Sequence, residues 1–273
     1  MSAPSRTEPG RIDFDLRDGV GTITINRPDK LNACTREMLR TWTERLYECE
    51  GNPAVKAVVI TGAGKGFTAG FDLGEVPVDR GTEAIRDHFR NTSLYWHSVI
   101  SAIVRIEKPV LAAVNGPAVG GGIGLVLAAD LAIASTQASF TPAWFSIGIC
   151  IDTATSCHLV PYIGMRRATE WIYTNRTLSA AEALDWGLLN RVYPPGEYEK
   201  EVDRVARELA AGPTLLYGLA KSLFHRGRTE SLETECEFER EGVLKSVTDP
   251  GFPPRLKMFR SKQRPSKSLS LDL

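Results

Sequence analysis

Apolar and polar residues alternate from Ile12 to Asn26, on both sides of Asp18-Gly19. Alternation with a period of two indicates a strand with one buried face, and Asp-Gly is typical of a tight hairpin turn. We therefore predict an antiparallel hairpin there. Helical spacing over 31–49 predicts a helix, and the apolar run over 54–61 predicts a buried strand.

Two glycine-rich loops each follow an apolar strand. Residues 62–70 follow the strand at 54–61, and residues 116–122 follow a second strand predicted at 110–115. A helix over 86–105 separates them and ends before Lys108-Pro109. After a strand at 131–135 and a short segment at 138–142, the pattern turns helical from Asp152 onward. This rhythm of strand, loop and helix predicts an α/β fold.

Composition and charge narrow the function classes. The chain has 273 residues, which favours one large domain with a smaller appendage. Its 33 basic residues balance 33 acidic ones, so charge gives no reason to expect a nucleic-acid or membrane partner. No apolar run approaches the roughly 18 residues that cross a bilayer. No cluster of side chains has the spacing of metal ligands.

The cysteines and the first ten residues indicate the cellular compartment. The five cysteines have neither CxxC nor CxxH spacing, and the sequence MSAPSRTEPG lacks the apolar core of a signal peptide. We therefore expect a cytoplasmic protein with reduced thiols.

The two loops are candidate hydrogen-bond donors. Glycine leaves room for backbone N–H groups to approach a ligand oxygen closely. If the N–H groups of Phe71 and Gly121 converge, they form an oxyanion hole for a carbonyl oxygen. A helix that opens at Gly121 adds the positive end of its dipole. The alternative is that these glycines only turn the chain between strand and helix.

Aromatic residues, one carboxylate and one imidazole form a second candidate group. Its members are Phe71, Phe89, Trp96, Trp144, His97 and Asp152. Together they would build an apolar slot, with one acid and one base, for a flat aromatic substrate. The ordinary alternatives are that Asp152 is a helix N-cap and that the helix face carrying His97 is core.

Four segments carry a resemblance to a known family. They are Asn26-Arg-Pro-Asp-Lys-Leu-Asn-Ala33, Ala69-Gly-Phe-Asp-Leu73, Lys108-Pro-Val-Leu-Ala-Ala-Val-Asn-Gly-Pro-Ala-Val-Gly-Gly-Gly122 and Thr174-Asn-Arg-Thr-Leu178. Together they resemble the enoyl-CoA hydratase/isomerase (crotonase) superfamily. The resemblance implies a crotonase-like spiral of ββα units over 1–200 and a helical trimerisation region over 201–273. It also implies a coenzyme A thioester substrate, an oxyanion hole at Phe71 and Gly121, and a homotrimer.

Within that superfamily, the acid/base residues differ from those of the hydratases. The two positions that hold glutamates in hydratases correspond to Gly124 and Trp144, which disfavours hydration of an enoyl group. Other segments resemble the 4-chlorobenzoyl-CoA dehalogenases: Arg86-Asp-His-Phe-Arg90, Tyr95-Trp-His97, Pro142-Ala-Trp-Phe-Ser-Ile-Gly148, Asp152-Thr-Ala-Thr-Ser156 and Gly164-Met-Arg-Arg-Ala168.

This second resemblance implies roles for particular residues. Asp152 corresponds to the nucleophile, His97 to the base and Trp144 to an orienting donor. Phe89 and Trp96 match positions of the benzoyl site. The implied reaction is hydrolytic dehalogenation of 4-chlorobenzoyl-CoA through an aryl ester on Asp152, with no cofactor because coenzyme A is part of the substrate.

Two alternatives stay open at this point. The chain could be another crotonase-type enzyme, such as a dienoyl-CoA isomerase or an acyl-CoA hydrolase, in which Asp152 moves protons. It could also be a non-catalytic relative that binds acyl-CoA or RNA, although the neutral charge speaks against RNA.

Three further positions carry expectations. Ile151 stands where the dehalogenase pattern has Asn, and an apolar neighbour could alter the reactivity of Asp152. Lys30 and Arg264 are candidate partners for the phosphates of coenzyme A.

Overall fold

The structure is a computed structural model and describes residues 10–261. Strands and helices alternate up to residue 193, and the rest is helical. The strands are β1 (Arg11–Arg17), β2 (Val20–Asn26), β3 (Ala57–Gly62), β4 (Val110–Val114), β5 (Ala118–Val119), β6 (Leu131–Ser135), β7 (Ser139–Thr141), β8 (Leu178–Ser179) and β9 (Arg191–Tyr193). The helices are α1 (Arg36–Gly51), α2 (Thr82–Arg105), α3 (Gly121–Ala128), α4 (Thr155–Thr174), α5 (Ala180–Asp185), α6 (Pro195–Ala211), α7 (Thr214–Arg226), α8 (Leu232–Thr248) and α9 (Phe252–Arg260).

The main sheet has six strands in the order β1-β2-β3-β4-β6-β9. The predicted hairpin is confirmed, since β1 and β2 pair antiparallel, whereas every other neighbouring pair is parallel. The adjacent strands β3 and β4 are almost wholly buried, as expected for continuous apolar runs in a parallel sheet. Both glycine loops leave the carboxyl ends of these two strands, so topology brings the loops to one edge of the sheet.

Helices cover both faces of the main sheet. On one face, α6 packs Val205 and Leu209 against Val59, Leu111 and Ile133. On the other face, α1 to α4 share the larger core. A small sheet, β5-β7-β8, lies beside the start of α3.

The predicted helix at 31–49 begins five residues late, at Arg36. Leu31 and Asn32 have positive φ values of 48° and 58°, which a helix excludes. The Asn32 carbonyl instead accepts a hydrogen bond from the Thr68 hydroxyl at 2.7 Å. The Thr35 side chain accepts from the Met38 N–H and caps the shorter helix.

The helical C-terminal part starts with α6, which spans the predicted boundary at residue 200 and packs on β3. The division into 1–200 and 201–273 stays a prediction. Among residues 10–261, no helix is both long enough and apolar enough to cross a bilayer.

Candidate active site

A cavity of about 130 Å³ opens beside the carboxyl ends of β3 and β4. It is lined by the two glycine loops, by α2 and by the segment that precedes α4. Six of the predicted site residues line it: Phe71, Phe89, Trp96, Gly121, Trp144 and Asp152.

The first side of the cavity consists of the donor loops, residues 62–71 and 116–122. Gly70 has a φ of +82°, and a Cβ built on it would lie 3.1 Å from the Gly121 nitrogen and 2.8 Å from the Val119 oxygen. Only glycine permits this approach. The two loops therefore come together at this point, which is the condition that the sequence left open for an oxyanion hole.

Two backbone N–H groups are left to face a ligand. Cys34 and Phe71 form a short parallel β-bridge, in which Cys34 N–H donates to Gly70 O and Asp72 N–H donates to Cys34 O. The Phe71 N–H lies between these two bonds and therefore faces away from Cys34. Gly121 is the first residue of α3, and an N–H in the first helical turn has no acceptor within the helix. The positive end of the α3 dipole adds to this pair.

Asn32 fixes the first donor loop. Its buried side-chain amide donates to the carbonyl oxygens of Ala63 at 2.8 Å and Gly66 at 2.7 Å. Thr68 uses its hydroxyl to bond the Asn32 carbonyl and to accept from the Gly70 N–H at 3.0 Å. The loop is thereby held rigidly in front of the cavity.

Asp72, directly after Phe71, anchors the end of the same loop. Its carboxylate pairs with Arg27 at 2.5 Å, and both side chains are more than four-fifths buried. Burial opposes ionisation of this carboxyl, but the hydrogen bonds from Arg27 and from the Gly74 N–H lower its pKa below the ordinary value. The ion pair keeps the Phe71 backbone in place.

The second side of the cavity is the carboxylate segment, residues 149–155. The Asp152 Oδ1 lies 2.6 Å from His97 Nε2 and accepts from the Thr153 N–H at 2.6 Å. Its Oδ2 lies 3.4 Å from the Ser93 hydroxyl. The structure thus brings together Asp152 and His97, which are 55 residues apart in sequence. The His97 side chain is 53% exposed, so water can reach it.

Two consecutive residues after Asp152 have left-handed backbone. Thr153 and Ala154 both have a φ of 55°, which is strained for a β-branched residue. The Thr153 hydroxyl donates to the Asp152 carbonyl at 2.7 Å. The side chain of Thr153 also fills the space beside α3, where a Cβ on Gly124 would lie 2.3 Å from Thr153 Oγ1. A glutamate therefore has no room at position 124.

Both ordinary alternatives for the acid and the base are wrong. Helix α4 begins at Thr155 with Ala154 as its N-cap, and Asp152 does not cap it, because the carboxylate points to His97 and Ser93. On α2, Phe89 and Trp96 face the cavity, whereas His97 is exposed and not part of the core.

Trp144 is 4% exposed and forms part of the cavity wall. Within residues 10–261, the hydrogen bonds to the Asp152 carboxylate come from Ser93, His97 and the Thr153 N–H, and none comes from the Trp144 indole. The role of Trp144 as an orienting donor stays a prediction.

Neither Lys30 nor Ile151 is among the residues that line the cavity. Lys30 is exposed at the end of a short 3₁₀ turn, and Arg264 lies outside the described residues. Ile151 is half-buried against the main core. The described part of the chain holds no group of His, Cys, Asp or Glu side chains that could bind a metal ion.

Sequence reasoning missed three polar residues of the cavity: Thr92, Ser93 and Thr153. Ser93 had one signal, because it precedes His97 by four residues and such pairs share a helix face. Nothing in the sequence signals the left-handed backbone of Thr153.

Residues 15–265 match the family model described as enoyl-CoA hydratase/isomerase. The chain is 49% identical over 262 residues to 4-chlorobenzoyl coenzyme A dehalogenase-2 of Arthrobacter sp., covering 96% of this chain and 95% of that protein. It is 31% identical over 250 residues to 1,2-epoxyphenylacetyl-CoA isomerase of Escherichia coli, covering 92% and 95% of the two chains. Among solved structures, an enoyl-CoA hydratase of Mycobacterium smegmatis superposes with a TM-score of 0.87 at 30% identity, covering 95% of this chain and 99% of that one. The predicted fold class is thereby confirmed.

Proposed function

Because the chain belongs to the enoyl-CoA hydratase/isomerase family, we propose that it acts on an acyl-CoA thioester and that its reaction is the hydrolytic dehalogenation of 4-chlorobenzoyl-CoA. The observation that carries this proposal is that Asp152, which contacts His97, lines the same aromatic-walled cavity as Phe71 and Gly121. The similarity to the Arthrobacter dehalogenase supports the same choice of substrate.

The size and lining of the cavity suit one aromatic ring. Its volume is about 130 Å³, and an apolar protein cavity of about 150 Å³ holds benzene. Phe71, Phe89, Trp96 and Trp144 provide its walls. We therefore expect a single benzoyl ring to fit.

The donor loops prepare the ring for attack. A carboxylate adds to an aryl halide only when a group para to the halogen accepts the negative charge. A thioester carbonyl bound by the Phe71 and Gly121 N–H groups is such a group, because the donors stabilise the charge that develops on its oxygen. Donors of this kind typically contribute about 3–4 kcal/mol each to transition-state stabilisation.

Asp152 and His97 then carry out two steps. An oxygen of Asp152 bonds to the ring carbon, and chloride leaves with the electron pair of the carbon–chlorine bond. A water then attacks Cγ of the aryl ester while His97 takes its proton. The ester bond breaks and the ring leaves as an aryl oxide. The second proton of the water then passes from the Asp152 carboxyl group to this oxide, which gives the 4-hydroxybenzoyl thioester and restores the carboxylate.

Hydration of an enoyl thioester has little support at this site. Hydratases add water with two glutamates, and the matching positions here are Gly124 and Trp144. Thr153 occupies the volume beside Gly124, and Trp144 forms the cavity wall. The alternative in which Asp152 only moves protons has the same carboxylate and is separated from our proposal by experiment.

The direct test is chloride release from 4-chlorobenzoyl-CoA. The wild-type protein should release chloride, and Asp152→Asn should lower the rate by at least about 10⁴-fold, as loss of a nucleophile commonly does. Asp185→Asn is a matched control, because that side chain is 74% exposed on α5. Absence of chloride release from the wild type, with tight thioester binding, would contradict the proposal.

We also propose that the protein is a homotrimer assembled through its C-terminal helices. Large apolar side chains on these helices are exposed in the single chain, among them Phe224 at 77%, Leu232 at 76% and Phe259 at 78%. Because α7 contacts α8 and α8 contacts α9, we interpret these exposed side chains as parts of an interface. Light scattering coupled to size exclusion should give three times the mass of one 30.0 kDa chain; a monomer mass would contradict this assembly.

Lys30 and Arg264 remain the proposed partners for the phosphates of coenzyme A. Lys30 is exposed and close enough to the first donor loop to influence Asp72. Lys30→Ala should raise KM a few-fold and leave kcat unchanged, since an exposed ion pair contributes about 1 kcal/mol or less. An unchanged KM would exclude Lys30.

A further inference from the structure

The two oxygens of the Asp152 carboxylate have different surroundings. Oδ1 is held by His97 Nε2 and by the Thr153 N–H, each at 2.6 Å. Among residues 10–261, the contact to Oδ2 comes from Ser93, whose hydroxyl lies 3.4 Å away. Ser93 is half-buried on α2, one turn before His97, and lines the cavity.

On the basis of the proposed function, we propose that Oδ2 is the oxygen that attacks the ring and that Ser93 is a further catalytic residue, which donates a hydrogen bond to this oxygen when the aryl ester is broken. Oδ1 has its lone pairs occupied by two short contacts. Within residues 10–261, Oδ2 makes only the long contact with Ser93, so it is the better nucleophile.

The length of the Ser93 contact matters for the first step. Hydrogen bonds between hydroxyl groups and carboxylates are normally about 2.5–3.0 Å long, and at 3.4 Å the Ser93 bond to Oδ2 is weak. A strong donor would lower the reactivity of the attacking oxygen. The long contact leaves Oδ2 reactive and still keeps a donor within reach.

The second step creates charge at this oxygen. Water attacks Cγ, a new C–O bond forms, and His97 takes the proton of the water. When the Cγ–Oδ2 bond breaks, the electron pair stays on Oδ2, which leaves with the ring as an aryl oxide. The oxygen of the water remains in the Asp152 carboxylate. Ser93 Oγ–H is the neighbouring donor that can stabilise the departing oxide. While Oδ2 is still part of the neutral ester, it is a poorer hydrogen-bond acceptor.

Ser93 therefore acts mainly on breakdown of the ester. Enzymes gain rate from interactions that are stronger in the transition state than in the state before it. A hydrogen bond that strengthens only as charge develops on Oδ2 has this property.

Rapid chemical quench with mass spectrometry of the Asp152 peptide separates the two steps. In Ser93→Ala the aryl ester should accumulate, and its hydrolysis should slow by about 10- to 100-fold, the range for a hydrogen bond to a charged group. Formation of the ester should change by less than about 3-fold. Ser98→Ala is the matched control: Ser98 lies on the same helix, is also half-buried and bonds the Leu94 carbonyl.

The basicity of the leaving oxide provides a second test. If Ser93 had only a structural role, the penalty of Ser93→Ala would not depend on this basicity. With 4-chloro-3-fluorobenzoyl-CoA the departing oxide is a weaker base and needs less stabilisation. The penalty of Ser93→Ala on ester hydrolysis should therefore be smaller than with 4-chlorobenzoyl-CoA.

The possible failures are distinguishable. If the wild-type protein forms no aryl ester, the proposed function itself fails. If the wild type forms the ester and Ser93→Ala hydrolyses it at the wild-type rate, only the role of Ser93 is overturned. Equal slowing of both steps, with the same penalty for both substrates, would also overturn it.

Discussion

The donor loops and the carboxylate segment both line the cavity, but they are built from different atoms. The donor loops offer backbone N–H groups, which Asn32 and the close approach of Gly70 to Gly121 hold in place. The carboxylate segment offers side chains, and a left-handed backbone at Thr153 and Ala154 presents them.

The two sides therefore have different roles. The backbone donors activate the substrate, and the side chains select the reaction. Backbone donors polarise the carbonyl of any thioester, whatever bond is to be broken. The side chains opposite decide which bond is broken, and here they supply a carboxylate with an imidazole. The predictions that follow alter each side in turn and also test Thr153, where the two sides touch.

Among the variants that compare the two sides, the largest effect is expected from Gly70→Ala, which disturbs the donor loops. A Cβ at Gly70 meets Val119 O at 2.8 Å, and its φ of +82° disfavours alanine. Displacing one oxyanion donor should lower kcat by about 10²–10³-fold. The aryl ester should still form on Asp152, slowly.

Gly196→Ala serves as the control in the same kinetic assay, because a methyl group at Gly196 would meet no other atom within 4 Å. A rate for Gly70→Ala equal to that of this control would contradict the role of the donor loops.

The next effect concerns Thr153, which connects the two sides. Gly124→Ala should lower the free energy of unfolding by up to about 3 kcal/mol, because the added methyl overlaps Thr153. In a Thr153→Gly background the same substitution should cost less, because the overlap with the side chain is gone, but a cost should remain, since the added methyl also lies 2.5 Å from the Thr153 carbonyl oxygen. Urea unfolding of the four proteins in this double-mutant cycle measures the coupling. Additive costs would show that Thr153 does not fill this space.

A smaller effect is expected from Trp144→Phe on the carboxylate side. Phenylalanine keeps an aromatic wall but removes the indole N–H. If Trp144 orients Asp152 once substrate is bound, ester formation should slow by about 10-fold, the value of one hydrogen bond to a charged group. Stopped-flow measurement of ester formation checks this. An unchanged rate of ester formation would show that Trp144 only forms part of the cavity wall.

The smallest effect is a pH dependence of the free energy of unfolding. It arises from two histidines, His158 and His225, that lie behind the carboxylate segment. His158 donates from Nδ1 to the Ala154 carbonyl at 3.0 Å, and the His225 ring lies 6.0 Å from the His158 ring. Burial, with help from Arg228, His158 and Lys221, lowers the pKa of His225 to about 4. Burial also lowers the pKa of His158, although the bond to Ala154 opposes this shift.

Because these pKa values are lower in the folded protein, the unfolded chain binds protons first as the pH falls. Stability is therefore present above about pH 6.5 and is lost between about pH 6.5 and the folded pKa values. After allowance for solvent screening, His225 should account for about 1 kcal/mol of this loss. Urea unfolding at about pH 7 and about pH 4.5 should show a smaller loss for His225→Gln than for the wild type. Equal losses would contradict this assignment.

The sequence predicted the donor side of the site well. Continuous apolar runs indicated β3 and β4, and glycines marked the loops that leave them. The residues alone left the convergence of the Phe71 and Gly121 N–H groups as a condition, and the family resemblance implied it; the folded chain brings both loops to one edge because neighbouring parallel strands end there.

The carboxylate side was less predictable. Asp152 and His97 were chosen through resemblance, because no local pattern connects residues that are 55 positions apart. The N-cap alternative for Asp152 failed because Thr153 and Ala154 adopt a left-handed backbone that their residue types do not signal. Ser93 was missed because its importance depends on a contact with Asp152 that only the folded chain creates.

The most direct test of covalent catalysis by Asp152 is turnover of 4-chlorobenzoyl-CoA in water enriched in ¹⁸O, followed by mass spectrometry of the peptide that contains Asp152. If Asp152 forms an aryl ester that water hydrolyses at Cγ, ¹⁸O should appear in the Asp152 carboxylate after one turnover and in the product after further turnovers. Product that carries ¹⁸O from its first turnover, with an unlabelled Asp152, would contradict the account.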